Sequence, residues 1–249
     1  MMTTGLPSGI ESGNMSGMKR TRFGGLLLVA GLIGAGWLLA KDQPQWLSAQ
    51  DEQALEAAEP PPPAAGSQAE ADDLKAELAA QKNRTPELIA EAKTDDKFSL
   101  DLFASAIGPD FIEKNYPATF DLLEGVKGEV GVIVHDSKAH WKRLRPYQAH
   151  PEIKALFPAR DFSYPSGHST LSYVEATVLG EIFPDKAAAL QERAGQIAES
   201  RVVAGVHYPS DIDEGKVLAK AITDALQAKP DFQAAVAAAK AEAQGKAKK

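Results

Sequence analysis

The chain has 249 residues, of which 44% are hydrophobic and 24% charged, a composition typical of a folded domain with a substantial core. Its net charge of −7 argues against a general role in binding nucleic acid. The absence of cysteine excludes a thiol nucleophile, a disulfide framework and cysteine-ligated zinc or iron–sulfur sites.

Residues 1–45 are predicted to hold a disordered start followed by one hydrophobic helix. A basic flank around Arg20 precedes an uncharged apolar run at 23–40. As a helix these 18 residues would span about 27 Å, enough for the core of a bilayer, and the basic flank fits an export signal. A cleaved signal peptide and a retained inner-membrane anchor both stay open, and either predicts a periplasmic location. The true start, Met1 or Met18, also stays open.

The remaining chain is predicted to be all-α. A polar, acidic spacer is expected at 46–59 and a helical domain at 60–245. A helix start is predicted at Thr85 and Pro86, because Thr favours the N-cap and Pro the first helical position. Further helices are predicted near 99–107, 118–142, 169–182, 186–204, 209–227 and 230–246. No stretch shows convincing strand alternation, and no second apolar run of about 20 residues suggests that the domain itself spans a membrane.

The stretch YPSGHS at 164–169 admits two interpretations. Pro, Ser and Gly are typical of turns, so that His168 could lie in a solvated loop. Alternatively, Pro165 fits the first turn of a helix, and the free N–H groups of that turn, around Ser166 and Gly167, would favour an anion such as phosphate. His168 would then be placed to give or take a proton.

A basic patch, KAHWKRLRP, covers residues 138–146. Its Lys138 and Arg145 are seven residues apart, which predicts that both lie on one face of a helix, two turns apart. Pro146 is predicted to end that helix. Taken alone, such a patch is equally typical of a solvated basic face.

A third patch, SRVVAGVHYPSD, covers residues 200–211. Arg201 is predicted to end a helical stretch, a glycine follows that permits a break, and Pro209 can open the next helix. Asp211 would lie in the first turn of that helix, where its carboxylate can hydrogen-bond the imidazole of His207 and fix its tautomer. A lone His–Asp pair is more often structural than catalytic.

Together the three patches supply the groups that phosphoryl transfer requires, namely a nucleophile, an acid and several cations. His207 and His168 can fill the first two roles. Lys138, Arg145 and Arg201 can hold the phosphoryl oxygens, and three cations around one dianion need no divalent metal. The other histidines show no metal-ligand pattern.

The combined pattern resembles the signature of the type 2 phosphatidic acid phosphatase (PAP2) superfamily: Lys-x6-Arg-Pro, then Pro-Ser-Gly-His, then Ser-Arg-x5-His-x3-Asp. The fixed positions of that signature are Lys138, Arg145, Pro146, Pro165, Ser166, Gly167, His168, Ser200, Arg201, His207 and Asp211. From Pro60 to Glu242 the chain is similar to the bacterial class A non-specific acid phosphatases, including their proline-rich start. The four prolines at 60–63 are therefore expected to belong to the folded domain.

This resemblance implies an all-α fold, no metal or cofactor, and a phosphohistidine mechanism. His207 would attack phosphorus, Asp211 would orient His207, and His168 would protonate the leaving alcohol. The phosphoryl oxygens would be bound by Lys138, Arg145, Ser166, Gly167 and Arg201. Vanadate would inhibit as a mimic of the transition state.

The resemblance predicts an exported acid phosphatase that hydrolyses phosphate monoesters of broad specificity. Three alternatives stay open: a vanadium-dependent haloperoxidase-like oxidoreductase, a lipid phosphate phosphatase at the membrane surface, and a non-catalytic, membrane-anchored helical module. Glu214 and Lys216 stand where the family usually has a small residue and Arg, and the cysteines common in these enzymes are missing. The natural substrate stays open, as does assembly into a homo-oligomer.

Overall fold

The computed structural model describes residues 46–247, which form helices joined by short connections. The α-helices are α1 (Ala49–Ala58), α2 (Gln68–Lys82), α3 (Pro86–Asp95), α4 (Ala104–Ile107), α5 (Pro117–Trp141), α6 (Pro146–Ala149), α7 (Gly167–Ile182), α8 (Ala187–Val203), α9 (Pro209–Gln227) and α10 (Pro230–Ala247). Two 3-10 helices lie at Leu100–Phe103 and Pro184–Lys186. The prediction of an all-α fold is confirmed.

The hydrophobic helix predicted at 23–40 lies outside the described residues. Within 46–247, none of the helices combines the length and the apolar character that crossing a membrane requires.

Helix starts follow local signals in the sequence. Thr85 is the N-cap of α3 and Pro86 its first residue, as predicted. Pro209 opens α9 in the same way. Ser166 is the N-cap of α7, so that Pro165 precedes this helix and does not lie in its first turn as predicted. The side-chain oxygen of an N-cap residue accepts a hydrogen bond from one of the N–H groups that the first turn leaves unpaired.

The start of α5 is capped by another helix. The side chain of Glu242 in α10 accepts hydrogen bonds from the N–H groups of Ala118 and Thr119 at 3.1 and 3.2 Å. A carboxylate here pairs two donors that α5 itself cannot pair, and its charge complements the helix dipole. The C-terminal helix therefore stabilises the helix that carries Lys138.

Where the sequence predicts a spacer at 46–59, the structure has α1, which packs against α5. Leu47 is buried, and the rings of Trp46 and Phe232 meet edge to face with centroids 5.2 Å apart. The carboxylate of Glu129 in α5 accepts hydrogen bonds from the N–H groups of Trp46 and Leu47 at 2.5 and 3.2 Å. The polar composition of α1 does not indicate this packing, because the residues that anchor the helix, Trp46 and Leu47, precede it. The outer limits of the domain, 60–245, stay a prediction.

Helix α7 lies at the centre of the fold and packs against α5, α8, α9 and α10. The large side chains of the core that are almost fully buried include Leu123, Ile133, Leu179, Ile197, Ile222 and Phe232. Burying one such side chain contributes about 1.5–3 kcal/mol relative to leaving it exposed. Because α7 is central, its first turn, which carries His168, is held from several sides.

The close packing of α9 on the start of α7 depends on Gly215. A Cβ atom at this position would lie 2.7 Å from Ser169 Cβ and 2.9 Å from the carbonyl oxygen of Ser166. Contacts this short would force the two helices apart. The close approach lets the Ser166 N–H donate to the carbonyl oxygen of Asp211 at 3.0 Å, so that the first turns of α7 and α9 meet.

Lys138 and Arg145 do not share a helix, contrary to the prediction. Helix α5 ends at Trp141, and Lys142 follows in the left-handed conformation with a φ of 51°. Arg145 is extended, and Pro146 opens α6 and does not end α5. A proline suits the first position of a helix as well as the residue that stops one, and the sequence does not distinguish the two.

The mutation Leu47→Ala is expected to lower the free energy of unfolding by about 2–5 kcal/mol, because it leaves a cavity where α1 is anchored to α5. Urea unfolding of the full chain checks this. The matched control is Leu78→Ala on the exposed face of α2, where a change of about 0.5 kcal/mol or less is expected. Equal losses in both variants would contradict the anchoring of α1.

Candidate active site

The predicted site residues converge where the ends of four helices meet. Lys138 comes from the end of α5, His168 from the start of α7, Arg201 from the last turn of α8 and Asp211 from the first turn of α9. His207 lies in the connection between α8 and α9. The exposed fraction is 4% for Lys138 and 3% for Arg201, so that positive charge is concentrated in the interior.

The imidazole of His207 is held from both sides. Its Nδ1 is 3.3 Å from Asp211 Oδ2, and its Nε2 is 3.0 Å from Arg145 Nη1. Because a guanidinium group can only donate, Nε2 is the acceptor, and the proton of the neutral ring lies on Nδ1. Burial and the nearby charges of Arg145 and Lys138 lower the pKa of His207 well below its ordinary value. His207 is therefore neutral, with a lone pair on Nε2.

Asp211 is fully buried and accepts four hydrogen bonds. Its Oδ2 accepts from the Ser163 hydroxyl at 2.5 Å, from the Tyr208 N–H at 2.8 Å and from His207. Its Oδ1 accepts from Arg143 Nη1 at 2.6 Å. Donors from several segments fix the carboxylate, and the carboxylate in turn fixes the imidazole.

Arg143 connects this carboxylate to α2. Its Nη2 donates to Asp73 Oδ2 at 2.7 Å, and its Nη1 also donates to Ser210 Oγ at 2.7 Å. Asp73 Oδ1 accepts from the Ser210 N–H at 3.0 Å. A continuous polar chain therefore runs from α2 through Arg143 and Asp211 to His207.

Each of the three site cations is paired with a carboxylate on its solvent side. Asp161 Oδ2 is 3.5 Å from Lys138 Nζ, and Asp161 Oδ1 accepts a hydrogen bond from Arg145 Nη2. Asp96 Oδ1 accepts from Arg201 Nη2 at 2.9 Å. Burial alone would raise the pKa of Asp161, but the charges of Lys138 and Arg145 lower it to about 2.

Several donors in the site are available to an anion. Arg201 Nε and Nη1 are buried and have no hydrogen-bond partner within the part of the chain that the structure describes. The N–H groups of Gly167 and His168 occupy the first two positions of α7, where a helix provides no acceptor. The Ser166 N–H, in contrast, is bound to the Asp211 carbonyl, and a ligand can use the hydroxyl hydrogen of Ser166. A tetrahedral oxyanion fits this set of donors.

His168 is the second residue of α7 and is half-buried. Its Nε2 donates to the backbone carbonyl of Asp96 at 3.3 Å. Burial and the charge of Arg201, followed by the other two site cations, lower the pKa of His168 to about 3. For His168 to carry a proton in mild acid and give it to a leaving alcohol, negative charge therefore has to be present among the same cations. A phosphate dianion would supply it.

Five supporting residues are not evident from the sequence alone: Asp73, Asp96, Arg143, Asp161 and Ser163. Arg143 lies within the basic patch, and Asp161 and Ser163 directly precede YPSGHS. Their positions beside the predicted motifs could therefore have indicated that they belong to the site. Asp73 and Asp96 carry no such signal, because they reach the site through the packing of α2 and the end of α3.

The other positions noted in the sequence are not among these donors. His135 and His140 are exposed, and within residues 46–247 no group of three or more His, Asp or Glu side chains could hold a metal ion. Glu214 is buried, and burial with the charge of Glu59 raises its pKa to about 7. Lys216 Nζ lies 5.0 Å above the ring of Tyr173.

Known proteins resemble this chain over the same region. The model of the PAP2 superfamily matches residues 125–226. A non-specific acid phosphatase of Providencia stuartii is 28% identical over 193 residues, which cover 74% of this chain and 78% of that protein. A non-specific acid phosphatase of Salmonella typhi is 30% identical over 148 residues, 57% of this chain and 59% of that protein.

A similar fold occurs in the crystal structure of the first bacterial vanadium-dependent iodoperoxidase. It superposes with a TM-score of 0.51 at 17% identity, covering 67% of this chain and 52% of that one, and this likeness concerns the fold alone. The helical fold and the set of oxyanion donors are those expected of an enzyme that acts on phosphate compounds. The match to the PAP2 superfamily model and the similarity to the non-specific acid phosphatases agree with the resemblance that the sequence motifs predict. The predictions of this superfamily and of a phosphatase enzyme are confirmed.

The mutation Arg143→Ala is expected to lower the free energy of unfolding by about 3–5 kcal/mol, because it leaves the carboxylates of Asp73 and Asp211 buried without their cation. Denaturant unfolding at neutral pH measures the loss. Arg160→Ala removes a solvent-exposed arginine and is the matched control, with an expected change of about 0.5 kcal/mol or less. A similar small change in Arg143→Ala would show that the polar chain contributes nothing to stability.

Glu77 in α2 predicts a pH dependence of stability. It is fully buried, neither carboxylate oxygen has a partner among the described residues, and burial with the charge of Asp211 raises its pKa to about 9. In the unfolded chain, Glu77 releases its proton above its ordinary pKa of 4.5, whereas the folded state keeps this proton up to a pH of about 9. The free energy of unfolding therefore falls as the pH rises from 4.5 to about 9.

The mutation Glu77→Gln removes this titration. Its stability relative to the wild type is expected to rise between pH 5 and 8, by up to about 1.4 kcal/mol per pH unit. Denaturant unfolding at four pH values measures the difference. The control is Glu113→Gln at an exposed position, whose difference from the wild type is expected to stay constant. A constant difference for Glu77→Gln as well would contradict the raised pKa.

Proposed function

We propose that the chain is a metal-independent acid phosphatase that hydrolyses phosphate monoesters of broad specificity through a phosphohistidine at His207. The observation that carries this proposal is the position of the Nε2 lone pair of His207 among the cations Lys138, Arg145 and Arg201. A phosphoryl group bound by these cations would have the nucleophile beside its phosphorus atom. The acid phosphatase names of the relatives support the same activity.

In the first step the phosphoryl oxygens are bound by the three cations and by the N–H groups at the start of α7. A phosphoryl oxygen takes the N–H that Arg145 gives to His207 Nε2, which frees the lone pair. Nε2 then attacks phosphorus, and the bond to the leaving oxygen breaks. Asp211 stabilises the positive charge that develops on the ring of His207, through the proton on Nδ1. His168 donates a proton to the leaving alcohol.

In the second step a water molecule replaces the alcohol. His168, now neutral, takes a proton from this water as it attacks phosphorus, and the phosphorus–nitrogen bond breaks. Inorganic phosphate leaves, and His207 returns to its neutral form. His168 and water supply and take up every proton, and the three cations bind the phosphoryl oxygens. The proposed steps therefore need no metal ion.

The preference for mild acid follows from the low pKa of His168. With a pKa of about 3 set by burial and the cations, His168 gains its proton when a phosphate group enters the site. A phosphate monoester itself has a second pKa of about 6. The reactive complex therefore contains one proton, which is shared between the substrate and His168. The population of this protonated complex falls as the pH rises above about 6. Activity is expected to decline towards neutral pH for this reason.

We further propose that the enzyme is exported to the periplasm, released or anchored by the helix predicted at 23–40. The basic flank and the apolar run of that segment support this. Homo-oligomers remain compatible with the proposal. A haloperoxidase or a lipid phosphatase would use the same cations, and the outcomes of the experiment below separate them from the leading proposal.

The proposal predicts that the full chain, in EDTA, hydrolyses p-nitrophenyl phosphate best in mild acid and that vanadate inhibits it. His207→Ala is expected to lower kcat by at least about 1,000-fold, because the nucleophile is lost. His135→Ala, which removes an exposed histidine, is the control and should leave kcat unchanged.

A folded wild-type chain without phosphatase activity would contradict the proposal. Halide oxidation with added vanadate and hydrolysis of phosphatidate in vesicles would then test the two alternatives on the same preparation. Activity that is lost in EDTA and restored by a divalent metal would contradict the metal-independent mechanism alone.

A further inference from the structure

Asp161 lies at the entrance of the site, on the solvent side of Lys138 and Arg145. Its side chain is 56% exposed, whereas those of the two cations are 6% and 4% exposed. Its carboxylate pairs with both cations at once. One carboxylate oxygen contacts Arg145 and the other contacts Lys138, as two oxygens of a phosphoryl group bound between the same cations would. Asp161 therefore stands where an anionic ligand of these cations would enter.

The donors of Arg145 are all in use. Nε donates to the backbone carbonyl of Asp161 at 2.9 Å, and Nη1 to the carbonyl of Val206 at 2.7 Å and to His207 at 3.0 Å. Nη2 donates to Asp161 Oδ1 and to the carbonyl of Phe162. A guanidinium group has five N–H donors, so that a new acceptor has to replace one of these partners.

The N–H donors of Lys138 are likewise all in use. Its Nζ has three N–H donors, and three acceptors surround it: the carbonyl oxygens of Phe162 and Ser163 and the carboxylate of Asp161. The carbonyls are fixed by the backbone between α6 and α7. The half-exposed side chain of Asp161 is the partner, common to both cations, that can turn out into solvent.

We propose that Asp161 is an affinity-determining residue of this site, whose carboxylate occupies the place of a phosphoryl oxygen on Lys138 and Arg145 and competes with phosphate and its monoesters for it. The proposal rests on the proposed function for the identity of the ligand. Entry of a phosphoryl group displaces the carboxylate, and return of the carboxylate helps to expel inorganic phosphate after each turnover.

The competition acts on ligand binding and not on the chemical step. Substrate and transition state both have to displace the carboxylate, so that removing it strengthens the binding of both alike. Such a change lowers KM and the inhibition constant of phosphate without raising kcat. A residue that merely anchors the loop between α6 and α7 would show the opposite effect, since its loss would loosen the site.

The test uses Asp161→Asn in the full chain, which removes the charge and keeps the size of the side chain. Inorganic phosphate is titrated by calorimetry at pH 6 and low salt. The variant is expected to bind phosphate about five- to tenfold more tightly than the wild type. KM for p-nitrophenyl phosphate is expected to fall by a similar factor, and kcat is not expected to rise. The matched control, Asp185→Asn at an exposed position near the start of α8, should bind phosphate like the wild type.

Unchanged or weaker phosphate binding in folded Asp161→Asn overturns the proposal, as does a gain of equal size in the control. If Asp161→Asn does not fold, Asp161→Ala carries the same test. Calorimetry measures phosphate binding without turnover, so that absence of hydrolysis by the wild type would overturn the proposed function while the affinity ratio still decides this inference.

Discussion

Three buried cations at the meeting point of four helix ends are the constraint on which the rest of this structure depends. Lys138, Arg145 and Arg201 would repel one another in a dry interior, and buried charge is costly unless it is paired. The protein compensates with backbone carbonyls and with the partly exposed carboxylates of Asp161 and Asp96. This compensation is incomplete at Arg201, where two buried donors remain for a ligand. The fold therefore concentrates an affinity for a dianion at one place.

The same cations set the protonation of both histidines. They keep His207 neutral, and the contact with Arg145 leaves its lone pair on Nε2. They also oppose a proton on His168 until negative charge arrives. The proposed nucleophile and the proposed acid thus differ in their surroundings: His207 contacts the carboxylate of Asp211, whereas His168 contacts a backbone carbonyl. A bound phosphate dianion can restore a proton to His168 while His207 stays neutral, as the two-step mechanism requires.

Much of the fold follows from local signals in the sequence. Thr85 with Pro86, and Pro209, predict helix starts that the structure confirms, because capping acts over a few residues. The seven-residue spacing of Lys138 and Arg145 is misleading, since Lys142 ends α5 between them. The two side chains still meet, because the loop before α7 folds back onto both. Asp73 and Asp96 come from helices that reach the site through packing, and the low pKa of His168 depends on charges from three segments.

The most direct test of this account is to find the phosphoryl group on the enzyme during turnover. The full chain is mixed with excess p-nitrophenyl phosphate, quenched within milliseconds in alkali, which preserves phosphohistidine, and digested for tandem mass spectrometry. The account predicts one phosphoryl group on the peptide that contains His207, and its absence in His207→Ala. A phosphoryl group on another residue, or full activity with no modified peptide, would contradict nucleophilic attack by His207.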